Sequence, residues 1–290
     1  MKPAAACFAA AALAAALVSA QTGEVTFRSD VRLVEVYATV FDRGGKHLDG
    51  LTRERFQVTD NGKPQTIATF ETNTADLSCA LLLDTTGSMA RALPVVKNAV
   101  IKLVEQLRET DSVAVYGFST TLRVLQDFTV EKALVKKAVL GARPSGRTAL
   151  FDSISQVARE IARRGGKKVI VAFTDGADNA SVLAASSAMA RARKIGVPVY
   201  TVAQGEALQN RELVRQLKEI ARHTGGQSYS VSSSREIDEV FQDIAADLRH
   251  TYMLSYKAPP SADRKWRAVQ VDISGGQGFR IRAKQGYFPE

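Results

Sequence analysis

Asp84, Thr86 and Ser88 stand at alternate positions in the stretch Cys79–Met89, which reads CALLLDTTGSM. One carboxylate and two hydroxyls at this spacing, with Thr85 between them and Gly87 free to turn the backbone tightly, form a set of hard oxygen donors. A small hard cation such as Mg²⁺ takes such ligands, with few carboxylates and some positions left to water or to a partner. The five apolar residues ahead of them, Cys79 to Leu83, are too few for a helix and predict a strand buried on both faces. The donors therefore belong to a loop that leaves the end of a buried strand.

From residue 77 to 248 the pattern predicts strands alternating with amphipathic helices. Val96, Val100, Leu103 and Leu107 share a helical face with Met89, and Pro94 fits only in the first turn of that helix. Strands are predicted at Ser112–Phe118, Leu122–Phe128, Val169–Phe173, Val197–Val202 and Gln227–Val231. Helices are predicted at Glu131–Leu140, Ala149–Arg163, Leu183–Lys194, Arg211–His223 and Ser234–Leu248, the last with Ser234 as N-cap. This alternation implies an α/β fold, a doubly wound and mostly parallel sheet covered on both faces. Ligands of such sheets sit outside the carboxyl ends of the strands, where the strand order reverses. Three loops occupy such places, 84–88, 145–148 and 175–179.

The flanks read as β-structure. Residues 24–75 carry a strand over Val31–Val40, turns at Asp42–Gly45 and Asp60–Gly62, a helical turn or loop at Leu51–Phe56, a strand Phe56–Thr59 and its hairpin partner Gln65–Phe70. Residues 251–290 carry strands Thr251–Tyr256, Ala268–Ile273 and Phe279–Ala283. The first flank is too small to hold a comfortable core alone. The two are expected to pack together as one accessory β-domain, interrupted by the α/β domain of 77–248.

Residues 1–20 read as a secretory signal peptide. Lys2 is the basic end, Ala4–Val18 the apolar run, and Val18-Ser19-Ala20 a small-residue cleavage site. An uncleaved anchor is the alternative. No Cys follows the cleavage site, so no lipid anchor is indicated, and no later stretch is long and apolar enough to span a membrane. The chain is expected to be exported, to the periplasm, the cell envelope or the outside. Loss of Cys7 with the leader leaves Cys79 alone, inside an apolar strand, where it reads as a small buried hydrophobe. The composition, 45% apolar and 24% charged, is that of a globular chain with a core. The net charge of +9 is spread along the sequence without interleaved aromatics, which argues against nucleic acid as a partner.

With these residues in place, 77–248 resembles a von Willebrand factor type A domain, and its three loops resemble that family's metal-ion-dependent adhesion site. Asp84-Thr85-Thr86-Gly87-Ser88 is similar to the family's Asp-x-Ser-x-Ser, with Thr keeping the first hydroxyl. Thr148 in Ser145-Gly146-Arg147-Thr148 matches the second element, with Arg147 where a second Gly is common. Asp175 in Phe173-Thr174-Asp175-Gly176 matches the third. The resemblance implies that Thr86, Ser88 and Thr148 hold Mg²⁺ (or Mn²⁺ or Ca²⁺) directly or through water. Asp84 and Asp175 would act partly from behind them, and an open position would accept a carboxylate from a protein partner. The flanking runs Val36–Asp42, Asp60–Gln65, Tyr252–Tyr256 and Gly286-Tyr287 look like an exported subgroup of this family best represented in acidobacteria.

Three functions compete. The leading one is a non-enzymatic, metal-dependent protein-binding module for adhesion or scaffolding. A second follows from the likeness of Asp84–Ser88 to the Asp-Lys-Thr-Gly-Thr of aspartyl-phosphate enzymes and of Thr174–Asn179 to their metal loop. It makes Asp84 a nucleophile, although Thr85 stands where those enzymes carry Lys. A third is a structural β-sandwich carrier whose site no longer binds metal. Asp178-Asn179 and Asp111 read as turn or cap residues, and His47, His223 and His250 as isolated. Trp266, Tyr252, Tyr256 and Tyr287 read as core or strand-pair residues.

Overall fold

The computed structural model describes residues 32–72, 75–260, 265–275 and 278–289. The expected leader lies outside the described residues. The first flank supplies β1 (Leu33–Phe41), β2 (Phe56–Asp60), β3 (Lys63–Gln65) and β4 (Ile67–Glu71). Next come β5 (Leu77–Asp84), α1 (Leu93–Gln106), β6 (Ser112–Phe118), β7 (Leu122–Thr129), α2 (Lys132–Gly141) and α3 (Leu150–Ile161). They are followed by β8 (Lys167–Thr174), α4 (Ala185–Ile195), β9 (Val199–Gln204), α5 (Arg211–Thr224), β10 (Ser228–Val231) and α6 (Ser234–Arg249). The last flank adds β11 (Thr251–Lys257), β12 (Arg267–Ile273), β13 (Arg280–Ala283) and β14 (Gly286–Tyr287).

The α/β expectation holds. The central sheet is six-stranded in the order β10-β9-β8-β5-β6-β7, parallel except for β7 on its edge. Every residue of β5 and of β8 is buried, because helices cover both faces. The period of two along β5 divides two cores. Cys79, Leu81 and Leu83 face the side of α1, α2 and α6, while Ala80 and Leu82 face that of α3, α4 and α5. Across the first core the rings of Phe173 and Phe241 stack with centroids 6.1 Å apart. Burial pushes the Cys79 thiol up, as expected of a small hydrophobe rather than a nucleophile. The order reverses between β5 and β8, so the loops after Asp84 and after Thr174 open at the switch point.

The flanks form two antiparallel four-stranded sheets, β13-β1-β11-β4 and β14-β12-β2-β3. Each contains strands from both ends of the chain, so neither flank can complete its sheets without the other. Glu71 of β4 pairs with Met253 of β11, which brings together the two points where the chain enters and leaves the α/β layer. Between these sheets Tyr252, Tyr256 and Tyr287 are buried, and Tyr256 and Tyr287 both donate to the fully buried Asp60.

Three local expectations need correction. The single hairpin strand over 65–70 is two strands: β3 pairs with β2, and after Thr66 the chain crosses to β11 as β4. Pro64 lacks an amide to donate, which suits an edge strand such as β3 and not a continuous inner one. The cap of α6 is Ser233, which accepts from Glu236 N at 3.3 Å, while Glu236 reaches back to Ser232 N at 2.7 Å. Met89 precedes α1, in a 3₁₀ turn at Gly87–Ala90.

Candidate metal centre

Each site residue is delivered by a strand end or a helix start. β5 terminates in Asp84, and its register beside β6 lets Thr85 N donate to Phe118 O at 2.8 Å. The second loop is tied to the first by Ser145 N donating to Thr85 O at 2.7 Å and Gly87 N donating to Gly146 O at 3.3 Å. Gly146 makes this approach possible, with φ +80 and room for a side chain closed by Thr120 and Ser119. The third loop is fixed by Ala207 N donating to Asp175 O at 2.8 Å.

These constraints bring together all five expected residues. Ser88 Oγ donates to Asp175 Oδ1 at 2.8 Å. Thr86 Oγ1 lies 2.9 Å from Ser88 Oγ and is therefore the donor in that pair. A Cβ built on Gly176 would lie 3.6 Å from both Ser88 Oγ and Thr148 Oγ1, so the two hydroxyls flank one small space. Asp84, Thr86, Thr148 and Asp175 are buried, while Ser88 is exposed and gives the cluster its opening.

Asp84 stands behind the hydroxyls. Its Oδ1 accepts from Thr86 N at 2.9 Å and its Oδ2 from Thr174 Oγ1 at 2.8 Å. Burial pushes its carboxyl up to about 6, against these hydrogen bonds. Burial also raises Asp175, with the Glu206 carboxylate adding to the effect against the Ser88 hydrogen bond. Two buried carboxylates whose charge the surroundings disfavour, beside three hydroxyls around a small space, fit a hard divalent cation. Among the described residues, no three or more His, Cys, Asp or Glu side chains converge as a metal site. The centre would have to rely on hydroxyls, which is how its donors are composed.

Asp178 and Asn179 do not join the donors. Asp178 accepts from Phe151 N at 2.9 Å and Ser181 Oγ at 2.6 Å, capping α3, and Asn179 Oδ1 accepts from Thr148 N at 3.0 Å. Nor is Asp84 presented as a phosphoryl acceptor. It is fully buried with both oxygens engaged, and the aspartate that would complete the enzyme-like metal loop is spent on the cap. Thr174 and Glu206 escaped the sequence reading. Thr174 carries a signal in retrospect, a hydroxyl next to Asp175 at a strand end, whereas Glu206 reaches the site only through the register of β9 with β8. The histidines read as isolated are not: His47 and His250 stack at 4.9 Å, each hydrogen-bonded at 2.6 Å to an aspartate, Asp247 and Asp49 respectively.

A model of the von Willebrand factor type A domain matches residues 79–243. None of the curated proteins matches the sequence. Among solved structures, a variant of the PilB minor pilin from Streptococcus sanguinis is similar at 14% identity over 61% of this chain and 62% of that one, TM-score 0.50. Proximal thread matrix protein 1 from the mussel byssus, solved with a zinc-occupied metal-ion-dependent adhesion motif, aligns at 19% identity over 65% and 49% of the two chains, TM-score 0.53. The chain thus spans less than two thirds of either protein. A von Willebrand factor type A protein from Catenulispora acidiphila aligns at 14% identity over 91% and 76%, TM-score 0.54. At these identities the likeness is one of fold.

Proposed function

The chain belongs to the von Willebrand factor type A domain family, and from that premise we propose that it is a non-enzymatic, metal-dependent protein-binding module. Thr86, Ser88 and Thr148 hold Mg²⁺, or Mn²⁺ or Ca²⁺ in its place, with Asp84 and Asp175 balancing its charge. The observation that carries this reading is the convergence of Ser88 Oγ and Asp175 Oδ1 at 2.8 Å beside the space shared with Thr148 Oγ1. When bound, the ion supplies an open position for an oxygen ligand from outside.

The surroundings favour an acidic partner residue. Arg91 follows the first loop, Arg147 stands on the second and hydrogen-bonds Asn179 O, and Arg123 reaches Ser145 Oγ; all three are exposed. Such a cationic rim steers carboxylates toward the site. Val182, 93% exposed on the same loop as Asp175, adds an apolar contact for a protein surface.

The location follows from the leader and is part of the proposal: an exported protein of the periplasm, envelope or exterior, of the subgroup its flanks resemble. No helix among the described residues is long and apolar enough to cross a membrane. The solved relatives named above include a pilin and a byssal matrix protein, a setting that agrees with adhesion. We assign 77–248 as the binding domain and the flanks 24–75 and 251–290 as the β-support that carries it.

The test is a pull-down from envelope extract with the full chain, with and without EDTA, and with Asp84→Ala as control. Specific capture that is lost in EDTA and in the variant is expected. Identical capture in all three would refute metal-dependent binding.

A further inference from the structure

A second cluster of charge lies at the other end of the central sheet, at the amino ends of its parallel strands. There a cavity of about 160 Å³ is enclosed by the start of β1, the end of α4 and the chain after β13. Among the described residues its charged lining is Arg32, Lys168, Lys194 and Lys284 against Glu35. Glu35 is already paired with Lys168, whose Nζ lies 3.0 Å from its carboxylate and also donates to the carbonyls of Arg164 and Gly166.

Lys284 is the anomaly. It is 5% exposed, lines the cavity, and has neither a hydrogen bond nor an ion pair among the described residues. A long ammonium side chain is rarely buried without a partner, since removing the charge from water costs several kcal/mol. Its ammonium lies beside the C-terminal end of α4: a Cβ on Gly196, which closes that helix, would lie 3.0 Å from Lys284 Nζ. Burial pushes the ammonium down to about 8, with Glu35 pulling the other way, so it still carries its charge at neutral pH.

The cavity does not end there. A neighbouring one of about 440 Å³ shares Arg32, Ala162, Lys194 and Ile195 and adds Arg159 and Arg191, with no acidic residue among its described lining residues. Both added arginines are exposed. The inner space has room for a compact anion. Its ammonium groups are point charges suited to a multiply charged oxyanion, and the outer guanidinium groups suit further oxygens of the same molecule.

We propose that this cavity binds a phosphate group, either inorganic phosphate or the phosphomonoester end of a small molecule, with Lys284 as its buried counter-charge. The site is remote from the candidate metal centre and independent of it. The anion settles the charge of Lys284 and joins α4 to the flanking strands β1 and β13.

Titration calorimetry of the full chain in EDTA, at neutral pH, tests the site with the metal centre silent. Inorganic phosphate is one ligand, glycerol 3-phosphate a second and acetate the control. Saturable one-to-one binding of phosphate is expected, with acetate inert. Lys284→Met should weaken it at least tenfold, and the exposed Lys194→Gln several-fold. Tighter binding of glycerol 3-phosphate than of phosphate identifies the ester as the ligand, and the reverse identifies the free ion. No saturable binding of either ligand overturns the proposal, as does affinity unchanged in both variants. Circular dichroism checks that each variant is folded; should Lys284→Met unfold, unchanged affinity in Lys194→Gln is decisive against it.

Discussion

Ser88 Oγ and Asp175 Oδ1 are 2.8 Å apart although 87 residues separate them in the chain. The parallel pairing of β5 with β8 makes the meeting possible, since both strands deliver their carboxyl ends to the same edge of the sheet. A hydroxyl that donates to a carboxylate is directed by that carboxylate, so Asp175 fixes the orientation of the Ser88 hydroxyl.

The space between hydroxyls can be filled from the backbone side. A methyl on Gly176 would lie at ordinary contact distance, 3.6 Å, from Ser88 Oγ and Thr148 Oγ1, and Gly176 has no positive φ to strain. Gly176→Ala is expected to melt within a few degrees of wild type while losing stabilisation by added Mg²⁺ or Mn²⁺. Thermal denaturation with and without the ion reads both effects.

Asp60 is a structural carboxylate. It is fully buried and accepts from Tyr256 Oη at 2.9 Å, Tyr287 Oη at 2.8 Å and Arg267 Nε at 2.6 Å. Asp60→Ala leaves a guanidinium and two hydroxyls without their acceptor, and a loss of about 3–5 kcal/mol is expected in urea unfolding. Tyr287→Phe removes one donor and should cost only about 1 kcal/mol.

Asp247 joins the last helix to the β-sheets. Its carboxylate meets His47 Nε2 at 2.6 Å and Arg282 on β13, and its carbonyl accepts from Thr251 Oγ1 at 2.7 Å. Asp247→Ala is expected to cost about 3 kcal/mol, because Arg282 stays largely buried without its partner. Hydrogen exchange should show the loss concentrated at the end of α6 and in β11.

The pH dependence should carry the mark of Lys284. Its folded pKa, about 8, lies below the ordinary lysine value of 10.5. Between those limits the unfolded chain binds a proton that the folded chain has lost, so stability rises with pH across that window. Glu35, Arg32, Lys168 and Lys194 are the charged groups lining the same cavity. Lys167, pushed down to about 8 by burial, acts in the same direction. Lys284→Met should flatten the rise in phosphate-free buffer without abolishing it, as read from denaturation midpoints between about pH 8 and pH 10.

Much of this was legible in the sequence. Uninterrupted apolar runs such as Cys79–Leu83 and Val169–Phe173 mark strands buried on both faces, and each ends in a polar loop that has no place inside a core. That logic pointed to Asp84, Thr86 and Ser88 as candidate donors, and the family resemblance added Thr148 and Asp175 as candidates. The misses are of another kind. The jump from β3 to β4 after Thr66 depends on which sheet lies beyond, and no local pattern encodes it. Three serines run from 232 to 234 at the start of α6, and only the geometry of its first turn selects Ser233 as the cap. Glu206, the stacking of His47 on His250, and the burial of the Lys284 ammonium arise from contacts between segments far apart in the chain.

The most direct test of the account is titration calorimetry of Mg²⁺ and Mn²⁺ into the full chain and into Ser88→Ala, whose altered side chain is exposed and leaves the core untouched. One ion per chain is expected for the wild type, with affinity at least tenfold weaker in the variant. Equal binding by both proteins, or no saturable binding by the wild type, would contradict it.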